Sequence, residues 1–141
     1  MSWEQFVEVL VGRERYALPI LEVHEIIRMQ EITELPNSSQ DVIGVTNLRG
    51  QIIPVVSVRQ RFRMPDIEPT KSTRIVVVNH EQGAVGMIVD GVSQVVTFDD
   101  IQSAPESGRG DNVQFLRGMA RNGETLVSIL NLGLLLQESF S

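Results

Sequence analysis

Short apolar runs alternate with polar, turn-rich gaps along nearly the whole chain, which is the pattern of an all-β protein rather than of amphipathic helices. Phe6, Val9 and Val11 open a strand, Gly12-Arg13-Glu14 supplies a turn, and residues 16–20 return. A short helical turn is expected over residues 21–23, a strand over 25–29 and a loop over 35–39. Two further strands meet at the Arg49-Gly50 corner. Ser57 can cap a short helix whose apolar positions, Val58 and Phe62, stand four apart. Residues 65–70, with two prolines and two acids, read as a linker. Beyond it, residues 75–78, 85–89 and 92–98 are strand-like, and the polar stretch 99–112 is predicted to be the most mobile loop. Residues 115–120 and 125–130 form a hairpin across Arg121-Asn122-Gly123, and Asn131 caps a last helix over 132–136.

The second half lies over the first in register. Residues 16–20 fall on 85–89, a shift of 69 that also sets Phe6 on Ile75, Val23 on Val92 and Ile26 on Val95. The run Leu48-Arg49-Gly50 matches Leu116-Arg117-Gly118 at a shift of 68, with about six extra residues after that corner, so that the caps Ser57 and Asn131 align. Each half therefore reads as about five strands and a helical turn, a count suited to a small barrel without exposed sheet edges. Two such lobes are each too small for a large core, so they are expected to share one. The competing explanation is that β-rich halves resemble one another by chance; paired corners and paired caps argue against it.

Composition narrows the function classes. The chain has 141 residues, 42% of them hydrophobic and 21% charged, as in an ordinary globular domain. A net charge of −6 speaks against nucleic acid as a partner. The lack of cysteine removes disulfides and thiolate chemistry. The N-terminus lacks the basic start and apolar run of a signal peptide, and no apolar run reaches the roughly 20 residues a bilayer needs, so a cytoplasmic protein without membrane insertion is expected.

Candidate chemistry is sparse. His24 and His80 each lack a second ligand at helical spacing, so no metal or cofactor is expected. Asp99-Asp100 are adjacent and read as turn formers. Arg109-Gly110-Asp111 and the sequon Asn37-Ser38-Ser39 read as coincidences in a cytosolic chain. Arg59, Arg61 and Arg63 alternate beside Phe62 and read as the solvated face of a short helix. Arg49 and Glu25 differ, because each is a lone charge beside apolar strands. Together they suggest a charged rim around an apolar groove, the anatomy of a protein interface.

From residues 44–56, with Val58-Arg59-Gln60-Arg61-Phe62, Val23-His24-Glu25-Ile26, residues 86–92 and the closing residues 126–131, the chain resembles the CheW family of chemotaxis coupling proteins. The resemblance covers nearly the whole chain. It implies a mainly β fold, two five-stranded SH3-like barrels packed around a shared hydrophobic core with short helices. Residues 1–141 would form a single CheW-like domain, its pseudo-repeat halves near 1–65 and 71–141, an exchange of termini between barrels being left open.

It implies no enzyme and no cofactor, but an adaptor between the cytoplasmic helical tip of chemoreceptors and the CheW-like regulatory domain of the histidine kinase CheA. By the same resemblance Arg49 and Glu25 would contact the receptor, with Ile75 on the groove wall, while Val23 and Ile20 would form the kinase face on the first barrel. Ser57 stands where the family often has Asp, and the chain stops soon after Leu136, so contacts from a longer terminal helix are not expected. Two other readings are an adaptor of the same fold in another signalling pathway, and a small barrel enzyme or carrier using Asp99, Asp100 or His24.

Overall fold

The computed structural model describes residues 4–36, 42–81, 83–103 and 113–137. Strands β1 (Gln5–Val11), β2 (Glu14–Pro19), β3 (Val23–Arg28), β4 (Val42–Leu48) and β5 (Gln51–Ser57) lead to helix α1 (Val58–Arg61). Then follow β6 (Arg74–His80), β7 (Gly83–Val89), β8 (Gly91–Thr97), β9 (Ile101–Ser103), β10 (Leu116–Asn122), β11 (Thr125–Leu130) and helix α2 (Leu132–Gln137). Ile20–Glu22 and Val113–Phe115 are single 3₁₀ turns. The segments Asn37-Ser38-Ser39 and Arg109-Gly110-Asp111 lie outside the described residues.

The strands form two sheets, each the wall of a small barrel. One has the order β8-β1-β2-β11-β10-β9 and the other β3-β6-β7-β5-β4. Each sheet takes two strands from one half of the chain and the rest from the other. Neighbours are antiparallel except at β2–β11 and β5–β7, the two places where the halves meet in parallel. The expected five strands per barrel are present, and β9 adds a sixth to one of them.

Gln5 and Glu14 open β1 and β2, and Arg74 and Gly83 open β6 and β7, each 69 residues later. Val42, Gln51 and Val58 open β4, β5 and α1, and Leu116, Thr125 and Leu132 open β10, β11 and α2, each 74 later. Replacing every strand by its counterpart turns the order β3-β6-β7-β5-β4 into β8-β1-β2-β11-β10. Register irregularities follow the same rule: the bulges at His24 and Ser93 are 69 apart, those at Ile43 and Arg117 are 74 apart.

This corrects the corner pairing drawn from the sequence. The counterpart of Arg49-Gly50 is the β10–β11 turn at Gly123-Glu124, and the counterpart of Leu116-Arg117-Gly118 is Val42-Ile43-Gly44. The shift changes from 69 to 74 between the isolated bridge Thr33↔Val45, matched by Gln102↔Met119, and the start of the hairpin. The extra residues therefore precede the hairpin, and the repeated Leu-Arg-Gly letters are a coincidence of composition.

The largest core cluster sits between the barrels. It joins Val7, Val9, Val11, Tyr16 and Leu18 of one sheet to Val56, Val76, Val78, Val85, Met87 and Val89 of the other. Phe62, at the end of α1, lies 5.0 Å from the Tyr16 ring and 6.1 Å from Phe115. The arginines of α1 are not a solvated face. Arg59 is only 16% exposed and grips Asp90 through Nε (2.9 Å) and Nη2 (2.7 Å), while Arg61 Nε donates to the Leu135 carbonyl (2.7 Å) and stacks over Phe115. The short helix lies between the barrels, so its Arg59 and Arg61 are held by protein acceptors, the partly buried Asp90 carboxylate and the Leu135 carbonyl. Arg63 alone is exposed.

Candidate functional site

The Arg49 corner is a two-residue hairpin turn in which both central residues have positive φ, 51° at Arg49 and 85° at Gly50. Such turns match the right-handed twist of the flanking strands, and glycine enters them freely whereas an L side chain is strained by about 1 kcal/mol or more. The turn is pinned on both sides. Asn47 Oδ1 accepts the Gly50 N–H at 2.8 Å, and Leu48 packs against the buried trio Ile53, Ile75 and Val77. Gln30 braces the base, donating to Thr46 Oγ1 (2.7 Å) and to the Asn47 carbonyl (2.6 Å).

Arg49 then reaches across to β3 and holds Glu25 in a two-pronged pair, Nη1 on Oε1 at 2.9 Å and Nη2 on Oε2. A bidentate pair fixes orientation as well as charge. The Arg49 hydrogen bonds hold the Glu25 carboxyl below its ordinary range, against the opposing pull of desolvation, and Glu25 in turn raises Arg49. Both groups are therefore ionised at neutral pH. Arg49 is 65% exposed and Glu25 23%, so the cation is aimed yet still offered to a partner. His24, at the β3 bulge, places Nε2 3.6 Å from Glu25 Oε2.

The structure thus brings Arg49 and Glu25 together, although 24 residues separate them. Ile75 corrects the expectation. It is fully buried, with its Cγ2 2.8 Å from where a Cβ on Gly86 would stand, and it offers no surface to a partner. It pairs with Ile27 across β6–β3 and supports the corner from beneath. Exposed apolar surface beside the corner comes instead from Ile52, 59% exposed, while Ile26, 39% exposed, lies next to Glu25 on the opposite face of β3.

Val23 and Ile20 are half-buried and pack on the central core, so most of each side chain faces inward. Ile20 lies in the 3₁₀ turn where the chain leaves one sheet for the other. Between them Leu21 is 90% exposed, the most exposed large apolar residue among the described residues. Sequence reasoning passed it over, because a lone leucine in an apolar stretch reads as core. The only available signal was its place in a turn predicted too short to bury every side.

Asp99 and Asp100 are both exposed and line an open groove with Arg121 and Gln102. Among the described residues no three His, Asp or Glu side chains converge as metal ligands, and no helix is long and apolar enough to cross a membrane.

The family model for the CheW-like domain matches residues 5–140. The chemotaxis protein CheW of Klebsiella aerogenes is 33% identical over 135 residues, covering 94% of this chain and 81% of that protein. CheW of Helicobacter pylori is 33% identical over 138 residues, covering 96% and 83%. The crystal structure of the scaffolding protein TtCheW from Thermoanaerobacter tengcongensis superposes with a TM-score of 0.85 at 31% identity, covering 94% of this chain and 87% of that one.

Proposed function

The chain belongs to the CheW-like domain family of chemotaxis scaffold proteins, and on that premise we propose that it is a non-enzymatic adaptor coupling chemoreceptors to the histidine kinase CheA. The observation that carries this reading is the Arg49–Glu25 pair, an aimed but exposed cation on a strained, braced turn. Strained backbone held in place by surrounding contacts is found preferentially at functional positions. The receptor tip is helical and carries both signs of charge. A rigid Arg–Glu fork can set its register while Ile52 supplies apolar area.

The kinase face is assigned to the Ile20–Val23 crossover, with Leu21 as the exposed anchor and Ile20 and Val23 holding it from behind. Both partners engage the barrel built from β3–β7, so one small domain bridges two weak contacts whose avidity grows in an array. The cytoplasm is the compartment in which these partners meet.

A pull-down with immobilised receptor fragment and kinase regulatory domain tests the assignment. Arg49→Glu should lower receptor capture about tenfold or more and leave kinase capture unchanged, whereas Leu21→Asp should do the reverse. Retention of receptor binding by Arg49→Glu would remove the corner from the receptor site.

A further inference from the structure

The internal repeat allows the two barrels to be compared position by position, and one place differs in a way that coupling does not use. Beneath the 65–73 strap, the five-stranded barrel has a cavity of about 190 Å³. Its apolar walls are Met29, Ile32, Ile43 and Ile88, and its polar side is Arg59 and Asp66. At the shift of 69 the counterpart of Met29 is Phe98 and that of Ile32 is Ile101; at the shift of 74 the counterpart of Ile43 is Arg117.

In the six-stranded barrel those positions are filled. Phe98 is 2% exposed with its ring 5.4 Å from Phe6. Arg117 lies 5.7 Å from the Phe6 ring centre and is pinned by Glu4 at 2.7 and 2.9 Å. Ile101 packs against the same cluster. A phenylalanine ring and an arginine side chain thus stand in one barrel where Met29 and Ile43 stand in the other, while Ile101 and Ile32 are alike.

We propose that this cavity is a binding site for a small neutral aromatic molecule of phenol size, with the ring against Met29, Ile32, Ile43 and Ile88 and a hydroxyl turned to the polar side. An apolar cavity of about 150 Å³ accepts benzene, so the volume suffices. Met29 offers a thioether to the ring, a favourable contact. The polar side selects against an anion. Asp66 Oδ1 accepts from Ser57 at 3.2 Å and its other oxygen from Gln60, while Asp90 is claimed by Arg59 and by the Gly12 N–H at 2.6 Å. Arg59 also donates to the Pro65 carbonyl at 2.9 Å, so the guanidinium is largely spent. The carboxylates keep free lone pairs, which receive a donor such as a phenol hydroxyl and repel a carboxylate. The site is independent of the Arg49 corner, so it stands or falls apart from the coupling function.

The test is a titration of the whole protein, isotopically labelled at isoleucine methyls, with phenol and separately with benzoate. Phenol should shift the Ile32, Ile43 and Ile88 methyls along one saturating curve, with a Kd on the order of 1 mM for so small a ligand, and benzoate should bind at least tenfold more weakly. Met29→Phe copies the other barrel and should abolish the phenol shifts while circular dichroism shows the fold retained. Diffuse or unsaturating shifts, equal binding of benzoate, or undiminished phenol binding in a folded Met29→Phe variant would each overturn the proposal. The ligand comparison on the unaltered chain decides the matter even if that variant fails to fold.

Discussion

At the scale of single residues, Arg49 bears two loads that can be separated. Its backbone is in the left-handed region, which glycine enters without strain, and its side chain carries the exposed charge. Arg49→Gly should therefore leave the melting temperature unchanged or slightly raised while receptor capture falls as in Arg49→Glu. A clear loss of thermal stability would mean that the Glu25 pair holds the fold rather than presenting a charge. The pair's exposure argues against that, since solvent screens an ion pair at the surface.

Both charges were legible in the sequence because neither has a neutralising neighbour beside its apolar strand. Their contact was not legible, since it depends on which strands share a sheet. Ile75 and Leu21 show the reverse failure. Each is one apolar residue among others, and only the packing makes the first fully buried and the second 90% exposed.

At the scale of elements, the hairpins β4–β5 and β10–β11 each have a further segment paired along their first strand, an isolated bridge at Thr33 on β4 and strand β9 on β10. At Gly44 the paired segment is so near that a Cβ would stand 2.3 Å from the Thr33 carbonyl oxygen, and at Gly118 it would stand 2.5 Å from that of Gln102. Backbone cannot yield like the tip of a side chain. Gly44→Ala and Gly118→Ala should each cost about 2–3 kcal/mol in denaturant unfolding, with unchanged dependence on denaturant. A cost near zero at either position would deny the close approach.

The sequence displayed the doubling and every strand but β9, which falls in the stretch 99–112 read as a loop, because strand alternation and caps are local. It misplaced the inserted residues, since similar letters at Leu48 and Leu116 outweighed a register that only strand pairing settles. Arg59 was misread for the same reason: its acceptor, Asp90, is 31 residues away.

Asp90 joins three elements. It accepts from Arg59 on α1 and from the Gly12 N–H in the β1–β2 turn, and its own N–H donates to the Leu10 carbonyl. Desolvation pushes its carboxyl up, yet the Arg59 and Gly12 hydrogen bonds prevail and the net direction is down. A carboxyl lowered in the folded state contributes stability that is full above its unfolded pKa, about 3.9, and is lost as pH falls through the lowered folded value. Acid below about pH 4 should therefore destabilise the native protein more than Asp90→Asn, which has already lost the contribution. At pH 7 that variant should be weaker by about 2–3 kcal/mol, as expected when one partner of a mostly buried pair is removed. Parallel stability–pH curves for the two proteins would contradict this role.

At the scale of the whole molecule, the question is whether two barrels mean two folding units. Among the described residues each barrel's private core is small: six buried residues around Phe6 and Phe98 in one, and three, Ile53, Ile75 and Val77, in the other. The central cluster holds eighteen of the described residues, drawn from both sheets and both helices. Neither barrel retains enough buried apolar surface alone, and each lacks two strands if the chain is cut between the halves. Unfolding should therefore be one transition, with the calorimetric enthalpy equal to the van't Hoff enthalpy. Phe62 gives the sharpest probe, being 3% exposed between Tyr16 of one sheet and Phe115 beside α2. Phe62→Ala should cost about 3–5 kcal/mol and move the whole transition down without splitting it, because the cavity opens in the layer that both barrels share. Two resolved heat-absorption peaks, in either the native protein or the variant, would show that the barrels fold separately.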